Sequence, residues 1–467
     1  MIHEIGYGNG VQQVVIPDSL RVFTVKANEI KAELTGEACV REALEHPIGT
    51  PRLREIVKPG EKIAIVTSDI SRPMPTAEVL PAVLGELEAA GCRFEDVTLV
   101  FALGSHRHHT EEERKKLAGE YACERIACED SDPDDCVRLG FTKAGTPVDI
   151  SRTVAEADRR ILLGNLEYHY FAGYSGGLKA IMPGCSTPEA IQNDHRMMVD
   201  PKACAGNIAD NPIRDDIEEG GALCGADFIL NVVLDEDKRI VRAVAGDPVK
   251  AHREGCGYID ELYGVTVPEK ADIVIVSQGG FPKDANLYQT QKALDNSKHV
   301  VKDGGIIILA GACTEGFGNK TFEAWMKEAE TPDDLIKRVH TGFRLGGHKA
   351  AAIGMVLKRA KIFMVSEMAD ELVREAFMEP FGSLQEAFDK ALEEKGPGAR
   401  VVIMPHGGST LPRISDPLGL SPEKGWPQEA GIGLLRMFWP ENGRERPAAL
   451  IKLLKPQISP CNASMVS

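Results

Sequence analysis

Eight short apolar runs, rich in β-branched residues, punctuate the chain, and each closes in polar or glycine-rich residues. They are KIAIVTSD (62–69), DVTLVFALGSH (96–106), RILLGN (160–165), FILNVVLD (228–235), DIVIVSQGG (272–280), GIIILAGAC (305–313), KIFMVSE (361–367) and RVVIMPHGG (400–408). Nearly every position is apolar, where a half-buried strand would alternate, so the runs predict strands covered on both faces of a parallel sheet. Between them lie helix-forming segments such as PTAEVLPAVLGELEAAG (75–91) and TEEERKKLAGEYA (110–122). The alternation predicts an α/β protein with doubly wound, mostly parallel sheets.

A chain of 467 residues exceeds one ordinary core and calls for more than one domain. The Pro-containing polar stretch YGVTVPEKAD (263–272), followed by a fresh strand, marks a boundary. The expected organisation is therefore two α/β domains with the active site in the cleft between them. Residues 1–267 form the first, completed by a segment returning at about 400–420, and residues 268–399 form the second. The Pro-rich stretch 421–467 is left without a placement.

Composition narrows the function classes. A net charge of −16 argues against a broad basic surface for nucleic acid or an anionic membrane, while leaving room for a small anion in a locally basic pocket. The eleven cysteines are scattered without a CxxC pair, which fits a reducing compartment. No apolar run approaches the roughly 20 residues of a membrane helix, and no basic-then-apolar stretch opens the chain. The expectation is a cytoplasmic protein with no membrane partner; the oligomeric state is not readable.

In open α/β sheets ligands bind beyond the carboxyl ends of the strands, and polar residues gather there. SDISRPMPT places Asp69 and Arg72 in a tight loop, where an arginine fork suits a phosphate and a carboxylate suits a ribose or the arginine itself. SHRHHTEEE places His106 directly after a strand, with His108 and His109 read as solvated and Thr110 as a helix N-cap. EYHYFAGYSGGLKAIMPG carries His169, the Gly176–Gly177 turn and Lys179. It is not a P-loop, because Leu178 separates glycine from lysine and Ala180 replaces the hydroxyl residue that holds Mg²⁺. CSTPEAIQNDHRMM starts a helix with Ser186 as N-cap and Glu189 closing a capping box, and His195 shares its inward face with Ile191 and Met198. A lone inward histidine reads as a core residue on spacing alone, since no companion metal ligand accompanies it. Further on, DANLYQTQKAL puts Tyr288, Gln289 and Lys292 at a helix start, able to receive a carboxylate or simply to face solvent.

Together DISRP, LGSHR, HYFAGYSGGLKAIMPG, NDH, DANLYQTQKAL and LGGHKA, running in that order from residue 69 to about 350, resemble the nickel-dependent lactate racemase family. The resemblance implies a cofactor, the nickel-pincer nucleotide: a pyridinium-3-thioamide-5-thiocarboxylic acid mononucleotide carrying Ni, tethered to a lysine. Lys179 occupies the tether position and His195 that of the nickel ligand, a sparse protein contribution that suits square-planar Ni(II) if the cofactor supplies the rest. Asp69, Arg72, Gly176 and Gly177 would hold the nucleotide. His106 and His169 would be the two acid/base groups, and the carboxylate of a 2-hydroxy acid would meet Gln289 and Lys292 with Tyr288 alongside. Cofactor-biosynthesis proteins are the implied partners. Chemically, hydride transfer from C2 avoids a carbanion beside a carboxylate, and histidine suits the accompanying proton.

The resemblance also implies a tryptophan near residues 345–350 in lactate-specific members, where this chain reads FRLGGHKAAA. That departure leaves room for a larger 2-hydroxy acid, with Arg344 and His348 able to face a second carboxylate or hydroxyls, as in malate or a sugar acid. The competing reading is a noncatalytic nucleotide- or nickel-binding protein, which has no need of paired bases. An NAD-dependent dehydrogenase ranks low because no strand is followed by GxGxxG, and a zinc hydrolase lower still for want of ligands.

Overall fold

A computed structural model describes residues 1–29 and 32–415. It contains two six-stranded sheets. In space, the first runs Ile240–Gly246, Phe228–Leu234, Arg159–Leu166, Ile63–Ser68, Val97–Ala102, Ala127–Asp130. All its pairings are parallel except the edge hairpin Phe228–Leu234/Ile240–Gly246. The second runs Glu379–Phe381, Ala360–Val365, Val301–Ala310, Ala271–Ser277, Arg400–Met404, Arg21–Thr24, all parallel.

All eight apolar runs are strands of these sheets. Their central residues, such as Ile65, Val66, Leu162, Ile275 and Ile307, are fully buried. Burying such a side chain contributes about 1.5–3 kcal/mol, so the runs dominate what holds the sheets together. The expected helices form as well. Thr110 caps Glu111–Ala118, its hydroxyl accepting from the Glu113 N–H while the Glu113 carboxylate accepts from the Thr110 N–H. Gly119, at φ 77°, then ends that helix.

Two expectations are corrected. The strand Arg400–Met404 does not return to the first sheet; it lies beside Ala271–Ser277 in the second. The N-terminal strand Arg21–Thr24, placed in the first domain by its sequence position, pairs with Arg400–Met404 and also belongs to the second sheet. Within the boundary stretch 263–272, Gly264–Val267 pairs in parallel with Leu411–Ile414. Residues 421–467 lie outside the described residues. Among the described residues no helix is long and apolar enough to cross a membrane.

The strand orders fix where a ligand can sit. In the first sheet the chain winds outward from Ile63–Ser68 to Ala127–Asp130, then crosses back to Arg159–Leu166. The order therefore reverses between the two central strands, and Asp69 and Glu167 follow their carboxyl ends. In the second sheet the reversal lies between Ala271–Ser277 and Arg400–Met404, followed by Gln278 and Pro405. A crevice opens at such a switch point because the flanking connections leave in opposite directions. Residues from beyond both reversals, among them Asp69, Glu167, Gln278 and Gly408, line one shared cavity.

Candidate active site

The cavity has a volume of about 700 Å³, within the range of small-molecule and cofactor sites. It gathers Asp69, Arg72, His106, His169, Gly176 and Gly177, and also Lys179, His195, Tyr288, Gln289, Lys292 and His348. Each of these stood out in the sequence. Arg344 does not belong to this set: it is exposed and outside the cavity lining.

Asp69 is buried and spends its carboxylate on His106: Oδ2 lies 2.7 Å from His106 Nδ1, and Oδ1 accepts from Ser71 Oγ at 2.8 Å. Burial pushes the Asp69 carboxyl up, but the hydrogen bond and charge of His106, with Ser71 and Arg72, outweigh it and hold the group below its usual value. An ionised Asp69 fixes the proton of neutral His106 on Nδ1 and leaves Nε2 as an acceptor. The Asp69 carboxylate thereby orients His106. His109 is buried and not solvated: it bonds Asp130 through Nδ1 at 2.6 Å and accepts the Ile70 N–H on Nε2 at 3.0 Å, pinning the loop that carries Asp69 and Arg72.

His169 comes from the short hairpin Tyr168–His169/Gly173–Tyr174. Arg214, with no exposed surface, braces this hairpin by donating to the carbonyls of Ala172 and Tyr174. His169 Nδ1 accepts the Ala172 N–H at 3.2 Å, so the proton of the neutral ring lies on Nε2. Burial first, then the charges of Lys179 and Arg72, hold His169 well below its usual value. Phe171 stands edge-on to both His169 and His195, with centroids 4.5 and 4.8 Å away.

Lys179 sits on the turn Gly177–Ala180. Burial, and secondarily Arg72, bring its amine down to about 7, so the neutral, nucleophilic form is accessible. The glycines before it answer to packing. Gly176 and Gly177 have φ of 75° and 59°, and a Cβ would lie 2.6 Å from Asn231 Oδ1 in one case and 2.8 Å from His252 Cδ2 in the other. The Gly177 N–H is donated to Asn231 Oδ1 at 2.9 Å and so is spent, which removes it from the expected phosphate contacts. His252 in turn bonds the Ser175 carbonyl through Nε2 at 2.8 Å.

The helix Pro188–His195 is capped by Thr187, whose hydroxyl accepts from the Ala190 N–H. Ser186, the expected cap, instead donates to the Ile181 carbonyl, and the expected capping box with Glu189 is absent. At the other end of the helix His195 Nδ1 lies 2.7 Å from Asp194 Oδ2. Burial, with Lys179 and Arg72, depresses the imidazole to about 3. His195 is therefore neutral, and with Asp194 ionised its proton sits on Nδ1 and the Nε2 lone pair is available, the arrangement a metal-binding imidazole needs. Burial also pushes Asp194 up, to about 7, against the opposing charges of Lys179 and Arg214.

Among the described residues the only group of three or more possible metal ligands is the exposed Glu42, Glu45 and His46, away from the cavity. The cavity thus offers one prepared imidazole and no protein cage. That donor set fits a metal whose other ligands arrive with an organic cofactor, and the accessible Lys179 amine fits a covalent tether.

Some site features had little sequence signal. Asn231, His252 and Arg214 act from other segments and are visible only once folded. Lys349 stood within LGGHKA but was not singled out; it lines the cavity and is 5% exposed. Trp325 packs against this turn, where a Gly347 Cβ would lie 2.4 Å from its ring. It does not line the cavity.

The two switch points, the shared cavity and the lysine and histidines that line it define an α/β protein with a small-molecule site. Comparison with known proteins gives the family. Residues 7–206 match the lactate racemase N-terminal domain and residues 266–411 the lactate racemase C-terminal domain. The chain is 33% identical over 422 residues to lactate racemase of Thermoanaerobacterium thermosaccharolyticum, covering 88% of this chain and 99% of that one. It is 31% identical over 385 residues to lactate racemase of Lactiplantibacillus plantarum, covering 80% and 90%. The solved lactate racemase apoprotein from Thermoanaerobacterium thermosaccharolyticum superposes with a TM-score of 0.80 at 33% identity, covering 88% of this chain and 100% of that one. A Thermotoga maritima protein shares the fold at a TM-score of 0.59 and 20% identity, covering 82% and 100%. The chain belongs to the lactate racemase family, a family of isomerases.

Proposed function

We propose that the protein racemises a 2-hydroxy acid of the lactate type, using a nickel-pincer nucleotide tethered to Lys179 with His195 as the protein ligand to nickel. One observation carries the reading: a lysine amine brought near neutrality and a neutral imidazole with a free Nε2 share a cavity with two further histidines. When bound, the cofactor supplies a pyridinium that accepts the C2 hydride and returns it.

The chain's own residues do the rest. Lys179 anchors, and Asp194 keeps His195 in the ligating tautomer. Arg72, bonded only to Glu167 at 3.4 Å, offers its remaining N–H groups to an anion. Gln289 and Lys292 hold the substrate carboxylate. His106 Nε2 takes the hydroxyl proton as the C2–H bond breaks, and the Asp69 carboxylate stabilises the imidazolium that results. His169 meets the same oxygen from its own wall through Nε2–H, and presents a lone pair there only when its proton moves to Nδ1 in place of the Ala172 contact. The keto acid would then turn over in the cavity, and the His106 imidazolium would return its proton to the oxygen as hydride returns to the other face.

The test is intact mass and nickel analysis of protein made alongside the cofactor pathway, with chiral analysis of lactate and other 2-hydroxy acids. A mass increment with about one nickel per chain, absent in Lys179→Ala, and loss of optical purity are expected. No increment and no nickel, with a working family member loaded in the same host, would overturn the reading.

A further inference from the structure

The end of the cavity formed by the helices Leu287–Ser297 and Gly347–Leu357 presents donors without matching acceptors. Lys349 Nζ lies 2.5 Å from the Tyr288 carbonyl oxygen and 4.1 Å from the centroid of the Tyr288 ring. It has no carboxylate within ion-pair distance among the described residues. Lys292 opens into the cleft and has neither a hydrogen bond nor an ion pair among the described residues. Tyr170 Oη is buried without a partner, and its ring lies nearly parallel to His348, centroids 6.3 Å apart. His348 Nδ1 accepts the Gly346 N–H at 3.0 Å, so neutral His348 carries its proton on Nε2 and adds another donor.

The nearby carboxylates are engaged elsewhere. Asp295 is held by Lys298 Nζ at 2.9 Å from both oxygens, and Glu167 by Arg72. Lys349 senses the charge of Lys292, Arg72 and Asp295, and burial is the main cause that drives its amine well below its usual value. The carboxylate common to all 2-hydroxy acids accounts for Lys292 and Gln289. A second buried amine and two neutral donors then remain, and a methyl group placed against them would strand all three.

Resting on the racemase reading above, we infer that the substrate is a 2-hydroxy dicarboxylate, with Lys349, Tyr170 and His348 receiving its second carboxylate and Lys349 setting the specificity.

Malate and lactate are the probes. Cofactor-loaded protein is assayed for racemisation of both, and their binding is measured by calorimetry on the same preparation. The wild type should favour malate by about 100-fold in kcat/KM. That ratio should fall at least about 10-fold in Lys349→Met and fall also in Tyr170→Phe, which keeps the ring; Lys349→Arg should preserve part of it. A preference for lactate, or a ratio unmoved in both Lys349→Met and Tyr170→Phe, would overturn the inference. Racemisation of neither acid would overturn the racemase reading alone. Lys349-dependent calorimetric preference for malate would then still support the dicarboxylate site, and equal or absent binding of the two acids would overturn it.

Discussion

Asp69 Oδ2 lies 2.7 Å from His106 Nδ1, and this contact decides which nitrogen of His106 faces the cavity. The two residues sit at the ends of adjacent parallel strands, Ile63–Ser68 and Val97–Ala102. An ionised carboxylate at Nδ1 makes Nε2 a base and steadies the imidazolium after proton uptake. Asp69→Asn keeps the shape and allows the amide to donate to Nδ1, which moves the ring proton to Nε2. Racemisation should fall by about 100-fold or more in kcat, with the mass increment and nickel content retained. Steady-state kinetics beside intact mass will check this; unchanged kcat would return Asp69 to a structural role.

Gly177 tests the packing of the tether loop. Its φ of 59° and a would-be Cβ 2.8 Å from His252 Cδ2 make Gly177→Ala costly twice over, by about 1–3 kcal/mol for the backbone strain alone. Asn231→Ala removes the acceptor of the Gly177 N–H without adding bulk, at a cost of about 1–3 kcal/mol. Both variants should melt earlier and load less cofactor per folded chain, measured by denaturant unfolding and intact mass. Wild-type loading in both would show that the loop geometry does not matter to attachment.

Much of this arrangement was readable before folding, for a definite reason. The eight buried strands are continuous apolar runs, and His106, Lys179 and His195 stand beside strand ends, a glycine turn and a helix start. Arg21–Thr24 escaped because four residues with little burial, pairing only with Arg400–Met404, leave no pattern. The supporting contacts escaped because they span the chain: Asp69 to His106 over 37 positions, Gly177 to Asn231 over 54, Lys349 to Tyr288 over 61. Periodicity reports burial. It does not report which distant side chain fills a hydrogen bond, so the Asp69–His106 and Gly177–Asn231 contacts emerge only in the fold.

The buried histidines make stability depend on pH with a definite sign. Burial is the main cause lowering His169, His195, His252, His299 and His348, with His195 and His299 each brought to about 3. Between these values and the unfolded value of about 6.5, the unfolded chain binds more protons than the folded one. Stability is then fully present above about 6.5 and is lost as pH falls. Asp194, Asp215, Asp216 and Asp295, all raised by burial, work in the opposite direction, four groups against five. The melting temperature of cofactor-free protein should therefore drop steadily from pH 7 to pH 5. A flat or rising profile would show that these imidazoles are solvated or protonated in the fold.

Attachment and metal binding are separable in this cavity, because Lys179 and His195 contribute different chemistry from different segments. The amine on the Gly177–Ala180 turn can form a covalent bond only when neutral, and burial, with Arg72, lowers it toward that form. The imidazole at the end of Pro188–His195 offers only a lone pair, so its loss removes a ligand and leaves the tether intact. Lys179→Ala should lose the mass increment and the nickel together. His195→Ala should keep the increment and lose most of the nickel, with racemisation abolished in both. Intact mass and elemental analysis of the same samples distinguish the cases. Nickel retained at wild-type level in His195→Ala would mean that the metal is held without this side chain, and that the Asp194–His195 pair serves the fold alone.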